Sequence, residues 1–163
     1  MKNVILFATM FLLGAIDMMA QTQYAVITSI ESIIPAGLGR SRMISNKEDL
    51  NTANYTTKRT DGTTSDMASV KREDLKIENF EETKLLNFYS ATGINFQNVA
   101  SNDAIISAKL NEMSAAGWEL AFITTGVESD SGTEDNEGIF VTRYIFKRQD
   151  TVRAKEAKEV KEN

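Results

Sequence analysis

The residues best suited to chemistry are carboxylates. Glu128, Asp130, Glu134, Asp135 and Glu137 lie within Gly126–Gly138, with Ser129, Ser131 and Thr133 between them. Hard oxygens at such short spacing can hold a calcium ion, and Asp130, Glu134 and Asp135 are the candidate ligands. The spacing departs from the EF-hand pattern, because Asp130-Ser131-Gly132 has no acid at the next alternate position. The competing reading is a solvated, charge-rich loop. A third is a pair of these acids hydrolysing a glycosidic bond, which needs two carboxylates held at a fixed separation that one flexible loop does not supply.

Arg40 and Arg42 form a second candidate. They follow Gly37 and Gly39 in Pro35-Ala36-Gly37-Leu38-Gly39-Arg40-Ser41-Arg42. Backbone N–H groups and guanidinium forks can together face a phosphate or a carboxylate. The phosphate-loop spacing and its Lys-Ser/Thr ending are missing. A plain loop, with arginines in solvent or paired with nearby acids, is the alternative.

Two absences narrow the chemistry. The chain has no histidine, so Ser-His-Asp and Cys-His catalysis are excluded. With no cysteine either, the usual zinc sites, iron–sulfur clusters and haem ligation by His or Cys are excluded. An enzyme here would work through carboxylates, Lys, Tyr, Ser or Thr. No disulfide can form, so stability must come from packing. The net charge of −5 disfavours nucleic acid and anionic membrane surfaces as partners.

The N-terminus reads as a signal peptide over residues 1–20. Lys2 is a short basic region, and Val4 to Ile16 is an apolar run too short for a lasting bilayer span. The expected cut lies between Ala20 and Gln21, with the large Met18 at the −3 position; an uncleaved N-terminal anchor is the alternative. Without cysteine the lipoprotein route is closed. No later apolar run follows, so no membrane insertion is expected after cleavage. Residues 21–148 form one expected domain, and 149–163 a charged, solvated tail.

The elements that must carry any site are clearest in the last third. Ser101, Asn102 and Asp103 suit a helix N-cap. Ile105, Ile106, Leu110 and Met113 then share one face of a helix over 103–116, with Ala116 beside them. Lys109 falls on that face, its stem able to lie on apolar surface. Gly117 suits the left-handed stop. Trp118, Leu120 and Phe122 alternate in a strand over 118–124, and 139–147 is a second strand. Phe140, Thr142, Tyr144 and Phe146 share one face of it. A polar-looped antiparallel hairpin is the simplest connection.

Leu110-Asn111-Glu112-Met113, Gly117-Trp118-Glu119-Leu120 and Tyr144-Ile145-Phe146-Lys147-Arg148 resemble a family of small bacterial domains of unknown function. In that family a helix ends in G-W-E-L and the chain closes near Y-x-F-K-R. The whole chain also resembles uncharacterised exported proteins of Bacteroidetes-type bacteria, through Gly39-Arg40-Ser41-Arg42, Gly93-Ile94-Asn95-Phe96 and Gly126-Val127-Glu128-Ser129-Asp130. The resemblance implies an export route and no reaction.

The first half is less regular. Gln23 to Ile30 alternates Tyr24, Val26, Thr28 and Ile30 and reads as the first strand. Residues 45–73 are polar; a long excursion, local disorder and a loose hairpin of Tyr55–Arg59 against Ser69–Arg72 compete, with the hairpin favoured by segment length. Leu75 and Ile77 suggest a short strand. Glu81 and Glu82 suit the start of a short helix ending at Gly93, with a strand over 83–90 as the alternative. Phe80, Phe88 and Phe96 are expected core anchors.

These readings combine into one α+β domain: a small antiparallel sheet of three to four strands, one main amphipathic helix and a second short helix, with 80–99 over the opposite sheet face. The expected role is an exported, non-catalytic binding or structural module of the bacterial cell envelope, periplasmic or secreted. Its partner would be an envelope protein or a glycan, and no cofactor is required. A calcium-stabilised binder using the acidic loop and a carboxylate-dependent hydrolase are the alternatives.

Overall fold

The computed structural model describes residues 21–33, 40–46, 48–90, 92–127 and 138–150. It is an α+β fold. One long helix packs on a mostly antiparallel five-stranded sheet of order β3-β2-β1-β7-β6. The strands are β1 (Gln21–Ser32), β2 (Arg42–Asn46), β3 (Phe80–Lys84), β6 (Glu119–Val127) and β7 (Ile139–Asp150). A separate two-stranded ladder, β4 (Tyr89–Ser90) and β5 (Gly93–Ile94), precedes the helix α1 (Phe96–Ala115). The sheet therefore has more strands than expected.

The chain divides into two compact units. The smaller is Met1–Tyr24 with Lys147–Asn163, of which 21–24 and 147–150 are described; within it Arg148 Nε donates to Gln23 Oε1 at 3.0 Å. The larger, Ala25–Phe146, contains the core and the candidate site.

In the larger unit, β1 and β2 pair antiparallel from Ile27↔Ser45 to Ile30↔Arg42, and β2 and β3 from Arg42↔Lys84 to Asn46↔Phe80. Ile27, Met43, Leu85, Tyr144 and Phe146 are buried together, and Ile105, Ile106, Leu110, Met113 and Trp118 pack against them. Full burial of one such large side chain is worth about 1.5–3 kcal/mol.

In β1 the more apolar alternate set is not the buried one. Ile27 and Ser29 are buried, while Tyr24 is 67% and Val26 44% exposed. Both residue sets alternate, and only the position of the helix decides which set is covered. In β7 the buried residues, Tyr144 and Phe146, belong to the set that Phe140 and Thr142 share, although Phe140 itself is 38% exposed.

Helix α1 begins seven residues before the expected start. Asn95 is the N-cap, its side chain accepting from Asn98 N at 3.1 Å. Ser101, Asn102 and Asp103 lie inside the helix: Ser101 Oγ donates to the Gln97 carbonyl, and Asn102 is fully buried. The end is as expected. Gly117 sits at φ +80°, Gly117 N–H donates to the Ser114 carbonyl and Trp118 N–H to the Met113 carbonyl, closing a Schellman motif. Trp118 and Met113 meet the same core, which supplies the apolar contact that accompanies this motif.

Residues 80–99 do not cover the second sheet face, and 81–89 form no helix. Phe80–Lys84 is an edge strand, because Glu81, Glu82 and Lys84 pair in register with β2 instead of capping a turn. Leu75 and Ile77 fall outside any strand. Phe80 is 42% and Phe96 78% exposed, so neither anchors the core; Phe88 is half-buried against Phe140, ring centroids 5.6 Å apart.

No hairpin forms between 55–59 and 69–72. The segment is an excursion with two short 3-10 turns, Thr52–Tyr55 and Met67–Ser69. Its polar residues satisfy the backbone locally: Asn51 caps the first turn, and Asp61 accepts from the N–H groups of Thr63 and Thr64. Glu48 Oε1 accepts from the N–H groups of Glu78 and Asn79 and ties the ends of the excursion together.

Candidate functional site

The structure brings together two arrangements. The first is a polar clamp beside the core. Helix residue Asn102 points its amide at the backbone of Leu86, accepting from its N–H at 2.8 Å and donating to its carbonyl at 2.7 Å. Nδ2 also donates to Glu31 Oε1 at 2.9 Å. Asn98 Nδ2 donates to the Asn87 carbonyl at 2.7 Å, and Asn95 N–H to the Phe88 carbonyl at 2.7 Å. From the sheet side Leu85 N–H donates to the Ser41 carbonyl, while Ser41 Oγ accepts from Ser32 N–H and donates to Asn87 Oδ1.

The clamp holds a strandless segment against the core, with Leu85 buried and Leu86 39% exposed. Residues 85–88 have no ladder of their own, so the side chains of Asn98 and Asn102 and the backbone of Ser41 and Asn95 satisfy their polar backbone groups. Ser29 Oγ, buried nearby in β1, has no partner among the described residues. Both atoms of the Asn102 amide, Asn98 Nδ2 and Ser41 Oγ are engaged with protein, which gives the clamp a structural task.

The second arrangement is an open cleft of about 460 Å³ between the C-terminal half of α1 and the start of β6. Leu110, Trp118, Leu120 and Phe146 form its apolar lining; Asn111, Ser114 and Glu119 supply the polar groups. The Schellman end of α1 sets the position of Trp118, since its N–H is fixed to the Met113 carbonyl at 3.0 Å. Phe146 forms a buried floor. Beyond the cleft Phe122, on the same face of β6 as Leu120, is 60% exposed, while Ile123 and Val127 alternate to the other face and are 46% and 60% exposed. The sequence signal was the Gly117-Trp118-Glu119-Leu120 run, read above for its fold alone.

The residues singled out from sequence fare differently. Asp130, Glu134 and Asp135 lie outside the described residues, as does most of the acidic segment. Among the described residues no three carboxylates gather as a metal site. Arg42 belongs to β2 and pairs with Glu82 of β3, its diagonal cross-strand neighbour, both side chains substantially exposed. Arg40 is exposed just before β2, and residues 34–39 of the proposed anion turn are outside the description. Lys109 lies on the apolar helix face as expected, its side chain 12% exposed and its ammonium 2.8 Å from Glu112 and 3.7 Å from Glu81.

Among the described residues one carboxyl group is clearly perturbed. The Asp61 carboxyl is held well below the usual carboxylate range, chiefly by the Thr64 hydroxyl and then by the N–H groups of Thr64 and Thr63. It sits at the tip of the excursion, fully exposed, and its hydrogen bonds are local turn chemistry.

Among the described residues no helix is long and apolar enough to cross a membrane. No family model, no curated protein and no solved structure matches the chain.

Proposed function

We propose that this chain is a non-catalytic binding module of the bacterial cell envelope, which takes a large apolar side chain of a polypeptide partner into the Trp118 cleft. The observation that carries the reading is the cleft itself: an apolar floor of Leu110, Leu120, Phe146 and Trp118 under a polar rim of Asn111, Ser114 and Glu119. A concave apolar pocket with a few polar groups suits an anchoring side chain, and exposed Phe122, on the same strand face as Leu120, extends the contact. The apolar floor favours polypeptide over glycan. Export and the envelope setting rest on residues 1–20 and on the resemblance stated above.

Trp118 is the only tryptophan, so its emission reports on the cleft without a label. The purified protein is panned against a random peptide display library, and enriched peptides are titrated while emission is followed. Enriched peptides should share one large apolar residue, shift the emission, and lose binding to a Leu110→Ser, Leu120→Ser variant. Soluble cell-wall oligosaccharides form a second arm; a shift with them alone would move the assignment to glycans. Silence in both arms would remove the cleft as a recognition site.

A further inference from the structure

On the sheet face away from α1, the register of β2 and β3 opposes two bases. Arg42 stands directly across from Lys84. Met43, next to Arg42, is buried in the core that α1 packs on, so Arg42 points to the opposite face, and Lys84 shares it. Leu85 N–H donates to the Ser41 carbonyl, which places Arg42 and Lys84 between hydrogen-bonded pairs. Opposed side chains come closest at that position, with Cα atoms about 4.5 Å apart. Like charges set there are destabilising.

Within these two strands, that face offers one carboxylate. Glu82 pairs with Arg42, its diagonal neighbour. The Lys84 ammonium has no ion pair or hydrogen bond among the described residues. A third base, Arg40, is exposed two residues before Arg42. The chain is acidic overall, with a net charge of −5, so the positive surplus is local.

Guarding the sheet edge does not account for Lys84. β3 ends the sheet order, and charged residues on such a strand discourage pairing with another chain. Glu81 and Glu82 already provide that charge. An acid at position 84 would guard the edge equally well and pair with Arg42 besides. A base there breaks the cross-strand rule without a gain inside the fold, and breaks of this kind mark functional sites.

We propose that Arg42 and Lys84 bind a phosphate group between them. A phosphate ester carries about −1.5 to −2 charge at pH 7 and three strong acceptor oxygens, enough to face both bases and turn their repulsion into two attractions. Glu82, a single carboxylate, satisfies Arg42 and leaves Lys84. The Arg42 guanidinium has several N–H donors, so it serves Glu82 and an oxyanion together, while Lys84 adds a point charge. Both bases reach solvent: the Arg42 side chain is 39% exposed, and β3 is exposed along its whole length. The site is built on other elements than the Trp118 cleft and does not depend on it.

Inorganic phosphate is the probe. At matched ionic strength, phosphate in place of chloride should raise the melting temperature of the purified chain, by a few degrees once it exceeds its Kd about ten-fold. The amide resonances of Arg42 and Lys84 should move during the titration, and those of Leu110 and Trp118 should stay in place. Lys84→Gln should melt no lower than wild type in chloride, because the repulsion is gone, and should lose the phosphate response. Vesicles identify the source of the phosphate. Lys84-dependent sedimentation with phosphatidylglycerol vesicles would support the site with a lipid headgroup as its ligand. A phosphate response without vesicle binding would support it with a soluble phosphate ester. Phosphate that stabilises no more than chloride would overturn the proposal. So would a Lys84→Gln chain that responds like wild type, or one that is less stable in chloride, since Lys84 would then be held within the fold.

Discussion

The side-chain amide of Asn102 completes both hydrogen bonds of the Leu86 backbone, as a neighbouring strand would. One helix residue thereby replaces a ladder at the point where the chain leaves β3. Asn102→Leu is close in size but leaves a part-buried N–H and carbonyl without these partners. Each such group costs about 1–3 kcal/mol, so the variant should lose a few kcal/mol and unfold at markedly lower denaturant. Hydrogen exchange at the Leu86 amide checks the cause: it should accelerate more than the β7 amides do.

Two buried serines should respond in opposite directions. Ser29 Oγ has no partner among the described residues, whereas Ser41 Oγ links Ser32 N–H to Asn87. Ser29→Ala removes an unsatisfied hydroxyl and should be neutral or stabilising by up to ~1 kcal/mol. Ser41→Ala should destabilise by about 1–3 kcal/mol, because it strands a buried N–H. Paired urea titrations read both; loss of stability in Ser29→Ala would show that its hydroxyl is engaged.

Aromatic residues of similar size should separate by burial. Phe146 is 1% exposed in the core and Phe96 78% exposed on the first turn of α1. Phe146→Ala should cost about 3–5 kcal/mol, while an exposed Phe96→Ala stays within ~0.5 kcal/mol. Thermal melts of the two variants decide this, and a large loss in Phe96→Ala would mean that its exposed ring is covered in solution.

Asp61 predicts a pH signature confined to acid. Its folded-state pKa is depressed, so its stabilising hydrogen bonds are fully present above the ordinary carboxylate pKa and are lost only as pH falls through the lowered folded value. The Thr64 amide resonance should hold its position while pH falls through the ordinary carboxylate range near ~4 and move only below it. In Asp61→Asn that acid transition should vanish.

The export reading predicts a defined N-terminus. Expressed with its own first 20 residues in a bacterial host, the chain recovered from the envelope fraction should begin at Gln21 by intact mass and terminal sequencing. Recovery of the uncleaved chain from the membrane fraction would instead support the anchored alternative.

Local chemistry carried far into the structure. The lack of histidine and cysteine removed whole reaction classes without reference to any fold. The stop at Gly117-Trp118 was legible because a Schellman end depends on a handful of adjacent residues. That 139–147 is a strand was legible because it is a run rich in β-branched and aromatic residues. The apolar stripe of α1 gave its period, and the fold class followed.

Other features depended on distant partners. Asn102 has the composition of an N-cap and became a buried clamp, because Leu86, sixteen residues earlier, passes beside it. Glu81 and Glu82 suit a helix start and became an edge strand, because β2 offers a ladder in register. β1 shows two alternating sets, Tyr24, Val26 and Ile30 against Ile27 and Ser29, and only the helix packed on one face selects which is buried. The sequence by itself determined the elements whose end signals and periods are local, together with the chemistry the chain lacks. Tertiary structure decided which faces are covered and where Trp118 lies relative to Phe146. Those depend on contacts between residues far apart in the chain, and a periodic pattern states that a face is apolar without stating what will cover it.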